Sequence, residues 1–347
     1  MRQTLLTAVV LGLCVVAMAR EPIVLSMADQ GGADLRPAVV TAVAVSPDGR
    51  LVAAGGDDHC LRVWEAETGR LVGRLSGHTD WVRAIRFTPG GDRLASVAAD
   101  HTLCLWEPAS ATARPASRRL AEGALLAVAI DPAGERLATA GFRDQLRVFD
   151  ARAGAPTLST EYGCPCEDTR AVAFSPDGRL IAAAGRNGVV RLWDRVASGG
   201  PRDLPSDNRR VRALAFSPDG ATLAAGGDGP AVRLWRLSEA PAGGLTISDA
   251  PDELLVRPGK VHAVAFLDDR LLAVGGTRDS VRLWDTAARS PVAELEGHTG
   301  TVAALAASAD GRLLASGSFD TTVRVWNVEG AGSRAAAAAL DAAARKR

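Results

Sequence analysis

Apolar and polar positions alternate along this chain in short runs that end at a recurring turn. Val40-Thr41-Ala42-Val43-Ala44-Val45 enters Ser46-Pro47-Asp48-Gly49, and a second apolar run, Leu51-Val52-Ala53-Ala54, follows. Period-two alternation puts successive side chains on opposite faces, so each run reads as a half-buried strand. Proline presets φ for the turn and glycine accepts the positive φ that closes it. The same tetrapeptide returns as Ser175-Pro176-Asp177-Gly178 and Ser217-Pro218-Asp219-Gly220. Looser copies are Thr88-Pro89-Gly90-Gly91, Asp131-Pro132-Ala133-Gly134 and Ser308-Ala309-Asp310-Gly311. These units predict hairpins in series and an all-β chain.

An aromatic closes the third strand of every unit: Trp64, Trp106, Phe149, Trp193, Trp235, Trp284 and Trp326, spaced 42 to 49 residues apart. The flanking text repeats as well, as in Leu61-Arg62-Val63-Trp64, Val190-Arg191-Leu192-Trp193 and Val281-Arg282-Leu283-Trp284-Asp285. Seven copies cover residues 39–328. In period, turn and aromatic together the chain resembles the WD-repeat family. The resemblance implies a seven-bladed β-propeller of four-stranded antiparallel blades. It also implies hydrogen-bonded tetrads, which the chain matches in full at His78, Ser96, Asp100 and Trp106, and at His298, Ser316, Asp320 and Trp326. Elsewhere Ala54 and Ala183 replace the serine, Asn187, Gly229 and Arg278 the aspartate, and Phe149 the tryptophan. Because a buried network missing members is weaker, blades 2 and 7 are expected to be the most rigid and the other five to rest on packing alone.

Each blade needs an outer strand. Residues 71–75, 157–162, 245–248 and 292–295 are suited to it, but the last repeat has none of its own. After Gly330-Ala331-Gly332 comes an alanine-rich stretch, 335–344, that reads as a short helix. The missing strand is assigned to Ile23-Val24-Leu25-Ser26-Met27, which would clasp first and last blades and cover two sheet edges. The expected organisation is a signal peptide (1–19), an N-terminal segment with the closing strand (20–38), the propeller (39–330) and an alanine-rich tail (331–347). An insertion at 237–258, rich in proline, glycine and acids, is expected to be a plain loop, with a functional arm as the alternative.

Composition narrows the functional classes. Forty basic residues balance forty acidic ones, which argues against a nucleic-acid binder or a polybasic membrane protein. The basic residues are almost all arginine, with Lys260 and Lys346 the exceptions, a bias associated with GC-rich bacterial genomes. Arg2, the apolar stretch 5–16 and Ala17-Met18-Ala19 match a cleaved secretory leader, so export to the periplasm or beyond is expected. The alternative is an uncleaved anchor, for which the apolar stretch is short against the ~20 residues a span needs.

No nucleophile elbow, phosphate-binding glycine loop, zinc-protease motif or haem-attachment motif occurs in the chain. No cofactor and no metal are expected. His59 and His101 each follow a turn aspartate and read as exposed turn residues at adjacent blade tips, with a metal shared between them as the alternative. Cys164-Pro165-Cys166 reads as a short-range disulfide or structural pair, with free thiols or a soft-metal site as alternatives. Cys60 and Cys104 read as buried filler.

In a propeller the first strand of each blade lines the channel, and its start emerges at one face. Aligning the repeats on their turns places two residues per blade there: Val39 and Thr41, Trp81 and Arg83, Ala124 and Leu126, Asp168 and Arg170, Arg210 and Arg212, Lys260 and His262, Thr301 and Ala303. Arg186 adjoins them. The expected partner surface is therefore Trp81, Arg83, Arg170, Arg186, Arg210, Arg212, Lys260 and His262, a basic mouth receiving an acidic segment of another protein, with Trp81 as aromatic anchor. The reading is a monomeric, non-catalytic scaffold. The alternatives are an exported propeller enzyme, hydrolytic or redox, and a sensor of a small anionic ligand.

Overall fold

A computed structural model describes residues 21–28, 37–108, 115, 117–142, 145–152, 155–164, 168–197, 199–207, 209–239, 244–256 and 259–331. The expected leader, almost all of the alanine-rich tail and Cys166 lie outside the described residues. The strands form seven separate antiparallel sheets, and these are the blades of a propeller. In blade 1 the chain steps outward through Val40–Val45, Leu51–Gly56, Cys60–Glu65 and Leu71–Ser76. The other blades repeat this order, with outer strands at Ser117–Leu120 and Arg202–Leu204 in blades 2 and 4 that the apolar pattern did not reveal.

Blade 7 supplies three strands, and its fourth is Ile23–Ser26, antiparallel to Thr322–Asn327 with Leu25 opposite Val323. The Met27 N–H extends the ladder to the Thr321 carbonyl at 3.1 Å. Leu25 and Met27 are buried in a cluster that joins blade 7, through Val323 and Val325, to blade 1, through Val40, Val52 and Trp64. Among the described residues the core consists of seven such clusters, each between neighbouring blades. Ring closure needs a close approach at Gly317, where a Cβ would stand 2.4 Å from a Val40 methyl. In the turn after the first strand, Gly49 has φ +71° and the Ser46 hydroxyl donates to Asp48 at 2.6 Å.

Two expectations need correction. The 237–258 insertion is not a plain loop. The third strand of blade 5 runs long, Ala231–Glu239, and its far end pairs with Leu245–Ile247. The ordinary outer position is taken by Asp252–Leu255, which places Leu254 opposite Val232 and buries it. Nor do the blades without a tetrad rest on packing alone. In each of them an arginine two residues before the third-strand aromatic meets a carboxylate: Arg62 with Asp58 at 2.6 Å, Arg147 with Glu161 at 2.5 Å, Arg191 with Asp203 at 2.5 Å, Arg233 with Asp207 at 2.7 Å and Arg282 with Glu294 at 3.2 Å. A mostly buried guanidinium needs such a partner, because an unpaired buried charge is costly.

Both full tetrads assemble. The His78 Nε2 lies 2.6 Å from the Ser96 hydroxyl, which accepts the Trp106 indole N–H at 2.7 Å. Asp100 takes His78 Nδ1 at 3.1 Å and the Thr79 N–H at 2.8 Å. In blade 7, His298 meets Ser316 at 2.7 Å and Asp320 at 2.8 Å, and Trp326 donates to Ser316 at 2.8 Å. By contrast the indole N–H groups of Trp235 and Trp284 are buried and have no hydrogen-bond partner among the described residues.

Candidate interaction face

Each first strand carries a register shift at its start, between Val40 and Ala42, Val82 and Ala84, Leu125 and Ala127, Thr169 and Ala171, Val211 and Ala213, Val261 and Ala263, and Val302 and Ala304. A bulge leaves one residue unpaired and re-aims its side chain. Here the skipped residues are Thr41, Arg83, Leu126, Arg170, Arg212, His262 and Ala303, and these line a vestibule of ≈ 200 Å³ at the mouth of the channel. The second member of every sequence-derived pair therefore faces the lumen. The first member does not line it. Its carbonyl instead accepts a backbone N–H from the end of the second strand: Ala99 to Trp81, Phe142 to Ala124, Arg186 to Asp168, Asp228 to Arg210, Thr277 to Lys260 and Phe319 to Thr301.

The face thus has three residues per blade, and the third set brings groups that the pair alignment missed. Phe142 and Phe319 are exposed at 43% and 46%, beside Trp81 at 42%. Asp57 and Asp228 join Asp168 as carboxylates. Arg170 pairs with Asp168 at 3.0 Å and Arg212 with Asp228 at 2.7 Å, so these two cations are largely committed. Among the described residues Arg83, Arg186, Arg210 and Lys260 form no ion pair. Arg83 stacks on Trp81, with 4.8 Å from its guanidinium carbon to the ring. Arg170 lies 5.7 Å from the Phe142 ring. Cations over aromatic faces are mutually held and leave little freedom to lose on binding.

His262 is not one of the mouth's cations. Burial, and then the nearby Arg212, push its pKa down to about 4 against the opposing pull of Asp228. His298 is lowered too, chiefly by burial, although Asp320 opposes it. Both imidazoles titrate lower folded than unfolded. Their stabilising contribution is therefore complete above the unfolded value of about 6.5 and is lost as the pH falls through the folded value. Stability measured by urea denaturation is expected to decline from pH 7 to pH 4.5, and His262→Gln should flatten that slope. An unchanged slope in the variant would remove His262 from the account.

His59 and His101 both adopt φ +67°, in the turn before the third strand. Among the described residues no group of three or more His, Cys, Asp or Glu is placed to hold a metal ion. Cys60 and Cys104 are buried, and burial pushes the Cys104 thiol up to about 11. Cys164 accepts a hydrogen bond from the Thr169 hydroxyl at 3.6 Å, and Cys166, its expected companion, lies outside the described residues. Among the described residues no helix is long and apolar enough to cross a membrane.

The family profile described as WD domain, G-beta repeat matches residues 36–65, 69–107, 158–194, 202–236 and 289–327, just over half of the chain. The chain belongs to this family. The unmatched stretches hold blade 3, with Phe149 in the tryptophan position, and blade 6, which follows the insertion. WD-repeat relatives include a guanine nucleotide-binding protein subunit beta of Saccharomyces cerevisiae, 25% identical over 83% of this chain and 67% of the relative. A cell division cycle 20.1, cofactor of APC complex, of Arabidopsis thaliana is 28% identical over 84% of this chain and 54% of the relative. A small ribosomal subunit protein RACK1y of Oryza sativa subsp. japonica is 28% identical over 48% of this chain and 36% of the relative. The chain thus spans about two thirds, half and a third of these three relatives.

Proposed function

We propose that this WD-repeat propeller is a non-catalytic scaffold, placed in the periplasm or outside the cell, which receives an acidic segment of a partner protein at its channel mouth. The observation that carries the reading is the mouth itself. Four cations that form no ion pair among the described residues, Arg83, Arg186, Arg210 and Lys260, stand with three exposed aromatics, Trp81, Phe142 and Phe319. Desolvated aromatics anchor a bound segment, and the surrounding charge selects an acidic one. The names of the relatives (a subunit, a complex cofactor and a ribosomal-subunit protein) belong to members of assemblies, which supports a binding role. Placement outside the cytoplasm rests on the leader-like residues 1–19 alone.

A labelled peptide of alternating Glu and Phe is the probe. It should bind more tightly at low salt, since exposed charges beyond about 10 Å are screened at 0.1 M. Arg186→Glu/Arg210→Glu should weaken binding on the order of tenfold and reduce the salt dependence, since Arg83 and Lys260 remain. These two are chosen because Arg170 and Arg212 are already paired. Equal affinity in a variant whose circular dichroism matches the parent would discard the reading. Cell fractionation tests the location, and recovery of the protein in the cytoplasmic fraction would overturn that part.

A further inference from the structure

Below the mouth the channel wall is almost uniform, and one residue breaks it. One position past each bulge, the lining is alanine in all seven blades: Ala42, Ala84, Ala127, Ala171, Ala213, Ala263 and Ala304. Three positions past, it is alanine in six blades, and in blade 2 it is Arg86. Arg86 lines both the ≈ 130 Å³ throat under the mouth and a wider bowl of ≈ 490 Å³ that opens toward the turns on the other side. Its one hydrogen bond runs from Nη1 to the Ile85 carbonyl at 2.8 Å, and among the described residues it meets no carboxylate.

Most of the side chains that line the bowl are apolar. Phe87, Phe174, Phe216 and Phe266 contribute to its wall. The other ionisable group lining it, Asp131, is buried and already accepts the Glu135 and Arg136 backbone N–H groups at 2.8 and 2.9 Å. A cavity of this volume suits a small organic molecule, for which about 300–1,000 Å³ is usual. A single guanidinium matches a single negative charge, and its planar fork matches a carboxylate. A phosphate dianion would leave charge facing phenyl rings, and a neutral apolar molecule would leave Arg86 unmet.

We propose that the bowl binds an amphipathic monocarboxylate, its apolar or aromatic body against the phenylalanines and its carboxylate on the Arg86 guanidinium. The site is independent of the basic mouth and of the function proposed for it. The Arg86 side chain is open to the channel lumen, and partial desolvation by the channel wall lowers its pKa with no charge nearby to offset it. A bound carboxylate would reverse that. The acid has two sources with the same chemistry: a free small molecule, or the C-terminus of a chain that ends in an apolar residue.

Calorimetric titration of the full chain with 3-phenylpropionate and octanoate, beside their neutral amides, tests the site. The acids should bind, and the amides should bind on the order of tenfold more weakly or not at all. Arg86→Ala should lose the acids by a similar factor, and because it completes a ring of alanines it should fold normally. Arg210→Glu, on the far rim, should bind them as the parent does. A short peptide ending in a free phenylalanine carboxylate, beside its amidated form, separates the sources: tighter binding than the small acids points to a chain terminus, and weaker binding to a free acid. The proposal fails if no acid binds, if acid and amide bind alike, or if Arg86→Ala binds as the parent does.

Discussion

Replacing Leu25 and Met27 together by alanine is expected to destabilise the protein by roughly 4–8 kcal/mol, a large part of what a domain possesses. Both side chains are nearly inaccessible, at 2% and 1%, and both lie in the cluster that joins the last blade to the first. Without them Ile23–Ser26 keeps only its ladder hydrogen bonds and the partly buried Ile23 to hold it on Thr322–Asn327. An unclasped blade 7 would present a bare strand edge, and exposed edges invite pairing with other chains. The expected readout is a fall in melting temperature of about 10 °C, accompanied by aggregation on heating. A single Val24→Ala control should leave the midpoint nearly unchanged, because Val24 is exposed at 50%. If the double variant melts with the parent, the clasp does not hold the ring.

Ser96→Ala is the second large effect expected. One hydroxyl serves two buried partners, accepting from the Trp106 indole and contacting His78 Nε2. Its removal leaves both unmet, and each buried orphan costs about 1–3 kcal/mol, so a loss of roughly 2–5 kcal/mol is expected in urea unfolding. The Asp100 side of the network should weaken with it. Burial raises the pKa of that carboxyl, but hydrogen bonds from His78, Thr102 and the Thr79 N–H outweigh burial and hold it below its usual range. Its contribution is complete above the unfolded value of about 3.9 and is lost as the pH falls through the folded value, a window that lies below that of the histidines. A loss under ~1 kcal/mol would mean that the tetrad is tolerated by the blade without holding it.

Much of the fold was legible before any coordinates. The hairpins, the seven repeats and the closing strand follow from Val40–Val45 and its copies, from the serine-proline-aspartate-glycine turns, and from an unpartnered strand at Ile23–Ser26. The outer strands of blades 2 and 4 were not legible, because Ser117–Leu120 and Arg202–Leu204 are short, polar and without alternation. The insertion misled for a similar reason. Its proline and glycine content reads as loop, while Asp252–Leu255 is a strand only because the edge of Ala231–Leu234 lies open beside it. At the candidate face the alignment found the right neighbourhood but overcounted its charge. It could not see that Asp228 neutralises Arg212, or that burial keeps His262 neutral.

The sequence by itself determined what depends on residues close together in the chain: strand period, turn chemistry, the recurrence of the aromatic and the identity of the tetrad members. These are local because backbone dihedrals and side-chain alternation are set within a few residues. Only the tertiary structure decided which member of each pair turns into the lumen, since that depends on a bulge in the ladder with the next strand. It alone showed which arginines are neutralised, because the distance between charges is fixed by blades and not by spacing. It also placed Arg86 among alanines brought together from the six other blades.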